Sequence, residues 1–166
     1  MTEKERENQD LPAERGEMDL HMCNDDALSL LCGGVLYGQL ALKEEKGPGM
    51  YALPFVFQSG IVYMPWKPSL KERGLPAVRQ SLAFSVADIT RMYQGNFSLA
   101  TVNCYGRARL LQTAEERQRA YRLFDHKYET LAPFDRQKPL LSLACKRITG
   151  RIHAETMQGD FEEYMR

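Results

Sequence analysis

The sequence predicts a mainly β protein with flanking helices, an α+β chain folded as a small antiparallel barrel. Three observations point there. Runs rich in β-branched and aromatic residues recur from Val35 to Ala154, separated by short polar or glycine-bearing turns. Consecutive strand runs follow one another with few helices between them, which favours antiparallel neighbours. Only one segment, beginning at Thr113, carries a long helical stripe of apolar residues.

The elements follow in order. Met1 to Glu17 holds six acids and three bases and little apolar surface to offset its ordering entropy, so it reads as a flexible tail. The folded domain is expected over 18–157, with 158–166 a second tail. Asn24, Asp25 and Asp26 precede Ala27-Leu28-Ser29-Leu30-Leu31, a short helix with a polar cap and acids in its first turn; Gly33-Gly34 ends it. Val35–Leu42 is a strand, Lys43–Gly49 a charged turn, and Met50–Phe57 the next strand. Gln58-Ser59-Gly60 is a short polar turn, so Ile61–Met64 pairs back as a hairpin. Pro54 inside the second run implies that no neighbouring strand needs its amide. Pro65–Arg79 carries Pro65, Pro68, Pro76 and Gly74 and is a connection with at most a turn or two of helix.

Ser81–Asp88 alternates, with Leu82, Phe84 and Val86 on one face. Ile89–Asn96 is a loop. Phe97–Leu111 is a long strand, and Gly106 within it marks a bulge or a close backbone approach. Thr113 and Glu116 form a capping box; Ala120, Tyr121, Phe124, Tyr128 and Leu131 then share one helical face up to Pro133. Leu140–Ala154 returns to strand.

Composition excludes several classes. The 166 residues include 22 Lys and Arg against 22 Asp and Glu, a neutral chain without the basic footprint of a sequence-independent nucleic-acid binder. No apolar run is long enough to span a bilayer. Met1–Glu17 has no apolar core to enter a translocon, so a cytoplasmic address is expected. Cys23, Cys32, Cys104 and Cys145 are widely spaced and should be thiols in a reducing compartment; Cys104, mid-strand, should be buried and unreactive. His21 and Cys23 alone do not make a metal site. There is no nucleophile elbow, Walker loop or dinucleotide fingerprint.

The informative stretch runs from Tyr51 to Lys71. Lys67, Ser69 and Lys71 offer a hydroxyl donor and two ammonium groups on one loop, a set suited to a phosphate, and Trp66 beside them can cover a flat ring. Pro54, Phe55 and Val56 can wall an amphipathic ring system and offer backbone groups to its polar edge. Each of these has a second reading at this stage. The loop is equally a solvated loop, Pro54-Phe55-Val56 plain core, and Trp66 a cover for the barrel end or for a partner subunit. Arg107 and Arg109 are either cations near a ligand or surface partners of Glu115 and Glu116.

Four segments then carry a resemblance. Leu31-Cys32-Gly33-Gly34 followed by Val35–Ala41, the hairpin Tyr51–Phe57 with Gly60–Met64, the strand Ser81–Asp88, and Ser98–Leu111 with Tyr105-Gly106-Arg107-Ala108-Arg109 occur in the order of one family. Together with the helix from Thr113 and the ending Ile148-Thr149-Gly150-Arg151, they resemble the pyridoxamine 5′-phosphate oxidase-like split barrels that bind flavin mononucleotide (FMN), in the nitroimidazole reductase-like branch. The match covers roughly residues 20 to 154.

The resemblance implies a six-stranded antiparallel split β-barrel and a homodimer with FMN at its interface. It also implies oxidoreductase chemistry on a small molecule, with NADH or NADPH as donor, and no nucleic acid or membrane as partner. The implied cofactor-binding residues are Pro54, Phe55, Val56, Met64, Pro65, Trp66, Lys67, Ser69, Lys71 and Arg107. No catalytic residue is nominated. The chain departs from the family pattern twice at that site. Ser69-Leu70-Lys71 stands where Gly-Arg-Lys is common, and Met64 stands in place of a histidine. The alternatives to an enzyme are a flavin carrier or sensor and a haem-binding split-barrel protein, the latter needing His21, His126 or His153 as a ligand.

Overall fold

The computed structural model describes residues 17–21, 23–44, 47–66, 80–91, 96–131 and 134–156. In chain order they form β1 (Glu17–His21), α1 (Asn24–Cys32), β2 (Tyr37–Glu44), β3 (Gly47–Pro54), β4 (Val56–Gln58), β5 (Ile61–Pro65), β6 (Gln80–Arg91), β7 (Asn96–Leu110), α2 (Ala114–Tyr128) and β8 (Leu140–Thr156). The fold is mainly antiparallel β with two helices, the predicted class. The strands lie in the order β3-β2-β6-β7-β8-β5-β4. The long strand β8 pairs with β7 along one edge; on its other edge it pairs with β5 at one end and β1 at the other.

The two ends of that order, β3 and β4, are consecutive in the chain and separated only by Phe55. The sheet therefore curls until its ends meet, and a one-residue break marks the seam of the half-barrel. Eight strands are present among the described residues rather than six. The expected run Met50–Phe57 is split at Phe55, and Glu17–His21, five residues in which Met18 and Leu20 alternate with polar neighbours, is captured by the free edge of β8.

Local chemistry explains the parts that were expected. Gln58 pairs with Ile61 across Ser59 and Gly60, whose φ angles of 50° and 78° are both positive. A two-residue turn of that hand matches the twist of its flanking strands. In β6, Leu82, Phe84 and Val86 are buried while Ala87 and Asp88 are exposed. The register of β7 against β8 shifts between Tyr105 and Gly106, the bulge expected at that glycine. The barrel core gathers Leu40, Leu53, Phe55, Val62, Met64, Phe84, Val86, Val102 and Leu143; a second cluster, Val56, Leu111, Tyr121, Phe124, Tyr128 and Leu140, seats α2.

The capping box of α2 is complete. The Glu116 amide donates to Thr113 Oγ1 at 3.2 Å, and the Thr113 amide donates to Glu116 Oε2 at 3.5 Å. Thr113→Ala should lower unfolding stability by about 1 kcal/mol in urea titration, since one helix-terminal donor loses its partner; an unchanged midpoint would remove the box from the stability of the fold.

Several boundaries differ from expectation. The cap of α1 is Cys23, which makes no side-chain bond to the helix amides; its thiol lies 3.0 Å from the Asp26 carboxylate instead, and Asn24 is already helical. Lys43–Gly49 is mostly strand, because cross-strand pairing between Glu44 and Gly47 holds the hairpin almost to its tip. Strand β6 runs on to Arg91 and β7 starts at Asn96, both carried by the partner strand, so 89–91 and 96 of the expected loop are strand, and 92–95 lie outside the described residues. Leu131 lies beyond the end of α2 and is 60% exposed, off the buried stripe. The expected connection Pro65–Arg79 begins one residue later, since Pro65 still pairs in β5 with Leu140, and from Lys67 on it lies outside the described residues.

Candidate functional site

The seam between β3 and β4 is the distinctive place in this fold. Proline at 54 has no amide hydrogen and closes β3 opposite Tyr37. Phe55 pairs with no strand, so its backbone polar groups need other partners. They find one in the hydroxyl of Tyr128, on the last turn of α2. The Phe55 amide donates to Tyr128 Oη at 2.9 Å, and that hydroxyl lies 2.9 Å from the Phe55 carbonyl and 2.5 Å from the Leu36 carbonyl. One phenol thus ties the break in the sheet to the chain entering β2. Burial pushes the Tyr128 hydroxyl up to about 12, with the Phe55 amide pulling the other way.

The Phe55 ring is buried in the core, edge-on to Phe84 with centroids 5.1 Å apart. Over the Phe55 ring stands Lys127, whose Nζ is 3.7 Å from the ring centroid. That ammonium is buried and has no hydrogen-bond partner. Desolvation lowers it to about 8.

The remaining expected site residues fall in three groups. Val56, Met64 and Trp66 are buried core side chains, and Pro65 is buried where β5 pairs with Leu140; Pro54 is half-buried. Trp66 packs its indole in the core, and its amide donates to the Pro139 carbonyl at 2.7 Å. These residues and Phe55 are brought together at one end of the barrel. Lys67, Ser69 and Lys71 lie outside the described residues. Arg107 is not brought to the seam: it stands on β7, three strands from β4 in the sheet order, exposed at a hollow of about 290 Å³ shared with Arg109, Ser142, Ala144, Cys145 and Lys146.

Beside it, Arg109 forms a two-pronged ion pair with Glu116, one half of the surface network expected there. The guanidinium hydrogen bonds hold the Glu116 carboxyl at about 2, well below its ordinary range. Cys104 is buried as expected; a hydrogen bond to Cys145 and burial both push its thiol up, while the same contact pulls Cys145 down.

Sequence reasoning missed the two residues that matter most at the seam. Tyr128 was visible only as part of the apolar stripe of α2. A signal was available, because a tyrosine on a buried stripe needs a partner for its hydroxyl. Lys127 gave none, since its neighbours come from α1, β4 and the Phe55 break.

Backbone edges complete the site. Strands β3 and β4 are each paired on one side only among the described residues. No described strand pairs their outer edges, the kind of surface that takes a ligand or another chain.

No family model matches the chain, and no curated protein matches it. Solved structures do. A candidate 5-nitroimidazole antibiotic resistance protein from Bacteroides thetaiotaomicron superposes with a TM-score of 0.65 at 12% identity, covering 84% of this chain and 90% of that one. A candidate pyridoxamine 5′-phosphate oxidase from Corynebacterium glutamicum gives 0.61 at 16% identity, covering 81% and 98%. An FAD binding protein from Mycobacterium smegmatis gives 0.62 at 18% identity, covering 80% and 97%. With β3 and β4 meeting at the Phe55 break, the chain is structurally similar to these pyridoxamine 5′-phosphate oxidase-like proteins and has their split-barrel fold.

Proposed function

We propose that this chain is a flavin-binding oxidoreductase that holds FMN in a homodimer, takes electrons from NADH or NADPH and reduces a small molecule. The observation that carries the reading is the interrupted strand at Pro54-Phe55-Val56 in a fold shared with an FAD binding protein. Its residues fit a flavin by their backbone. The Phe55 amide is already committed to Tyr128, so the open outer edge of β4 is what would bond the pyrimidine rim of the ring. Pro54 leaves that end of β3 without a competing donor.

Lys67, Ser69 and Lys71 would hold the phosphate, as ammonium and hydroxyl donors to its oxygens. Once bound, a flavin supplies two-electron hydride chemistry. The chain's part is to hold the ring flat, to keep water from one face with the core behind Phe55, and to bring donor and acceptor to the other.

Absorbance of the purified protein is the first test. Bands near about 370 and 450 nm, values typical of the bound ring, are expected, and rapid mixing with NADH or NADPH should bleach them. A Soret band instead would replace this reading with a haem-binding one; flavin that no nicotinamide reduces would leave a carrier. Lys71→Ala should weaken FMN at least about tenfold while leaving riboflavin nearly unchanged, because only FMN carries the phosphate. Equal losses for both ligands in fluorescence titration would take the phosphate away from Lys71.

A further inference from the structure

Lys127 is an expense that the fold does not need. Among the described residues its Nζ is buried and lacks a hydrogen-bond acceptor; it faces the Phe55 ring 3.7 Å away and, more distantly, Tyr128 at 5.9 Å, with Cys32 nearby favouring its charge. A buried ammonium usually has a carboxylate or several carbonyls around it. Methionine, of similar length, would fill the same space without that desolvation penalty. The place of Lys127 in the last turn of α2 favours a positive charge but supplies no acceptor for it.

The same lysine lines a cavity of about 310 Å³ between α1, β4 and α2. That volume is at the small end of the range for ligand pockets. Its walls are largely apolar, with Leu31, Leu36, Val56, Phe57 and Leu123 beside the Lys127 side chain. Cys32 and His126 complete the polar part of the lining, and neither bonds Nζ; no acid is among the lining residues. An open, largely apolar hollow backed by one cation without an acceptor suits one kind of molecule, a compact apolar body ending in an oxyanion. The anion would supply the missing acceptors, and the aliphatic side chains would take the body out of water.

We propose that the cavity between α1 and α2 is a binding site for small apolar carboxylates, with Lys127 as the residue that pairs with the carboxylate. The site is built from α1, β4 and α2 and does not depend on a flavin.

Calorimetric titration of the full-length protein with benzoate and octanoate tests this, with benzyl alcohol as the uncharged counterpart of benzoate. Both carboxylates should bind at least about tenfold more tightly than the alcohol. Lys127→Met should lose at least about tenfold in carboxylate affinity with the alcohol unchanged, and Lys127→Arg should keep part of it. Lys127→Met should also melt at a higher temperature than the parent without ligand, which separates loss of binding from loss of fold. Carboxylate binding that is equal in the parent and in Lys127→Met, or absent in the parent at millimolar ligand, would overturn the proposal. Either result would leave the flavin reading untouched, since that rests on absorbance and on Lys71.

Discussion

Gly106→Ala is expected to cost about 3 kcal/mol or more in urea unfolding. A Cβ built on Gly106 would lie 1.9 Å from the Ala144 carbonyl oxygen, 2.7 Å from its carbon and 3.0 Å from the Cys145 Cα. All three are backbone or Cα atoms of the neighbouring strand, so no side chain can swing away to make room. The contact follows from the bulge. Tyr105 faces Arg147 and Gly106 faces Cys145, so Lys146 is left over and the two backbones are drawn together. Relief requires β7 and β8 to separate at the longest pairing in the sheet, or the register to slip. A one-residue slip would turn Val102 and Cys104 out of the core. Gly34→Ala is the matched control: nothing lies within 4 Å of its added Cβ, and its φ is not in the left-handed region. Equal midpoints for the two variants would show that the close approach at the bulge does not constrain the fold.

Tyr128→Phe is expected to destabilise the protein by about 2–4 kcal/mol, well beyond the usual value of one hydrogen bond. The hydroxyl accepts from the Phe55 amide and has the carbonyls of Phe55 and Leu36 within 2.9 Å and 2.5 Å. Its removal leaves the Phe55 amide buried without an acceptor at the one residue where the sheet makes no pairing, and an orphaned buried donor carries its full desolvation penalty. A pH signature accompanies it. The Tyr128 phenol rises from 10 to about 12 in the fold, so between those values the unfolded chain has lost a proton that the folded one keeps. The stabilisation is complete below pH 10 and falls as pH rises towards 12. In Tyr128→Phe that part of the alkaline slope should vanish. If the variant matches the parent in both midpoint and alkaline limb, the hydroxyl does not hold the seam.

These two positions show what was legible and why. Gly106 was readable as a bulge because a glycine inside a long β-rich run has few other uses. The helix from Ala114, its capping box and its buried face at Ala120, Tyr121, Phe124 and Tyr128 were readable because their determinants lie within four residues of one another. The hairpin at Ser59-Gly60 was readable for the same reason. Glu17–His21 was missed although Met18 and Leu20 alternate with polar residues, because an alternation of five residues is short and its partner lies over a hundred residues away. The cap of α1 was misplaced by one residue, since three consecutive polar residues, Asn24, Asp25 and Asp26, all satisfy the local rule.

The candidate site divides along the same line. Its membership at one end of the barrel was visible as a run of residues, Pro54 to Val56 and Met64 to Trp66, and their order along the chain pointed to the split-barrel fold. The direction of each side chain was decided by the closed sheet: Phe55 and Trp66 turn into the core, and Arg107 stays three strands away. Periodicity and turn chemistry are local and survive in a one-dimensional reading. The alignment of the Tyr128 hydroxyl with the Phe55 break and the placing of the Lys127 ammonium over a phenyl ring are not local. They exist only once two distant segments have packed, because burial and the loss of water give those polar groups their importance.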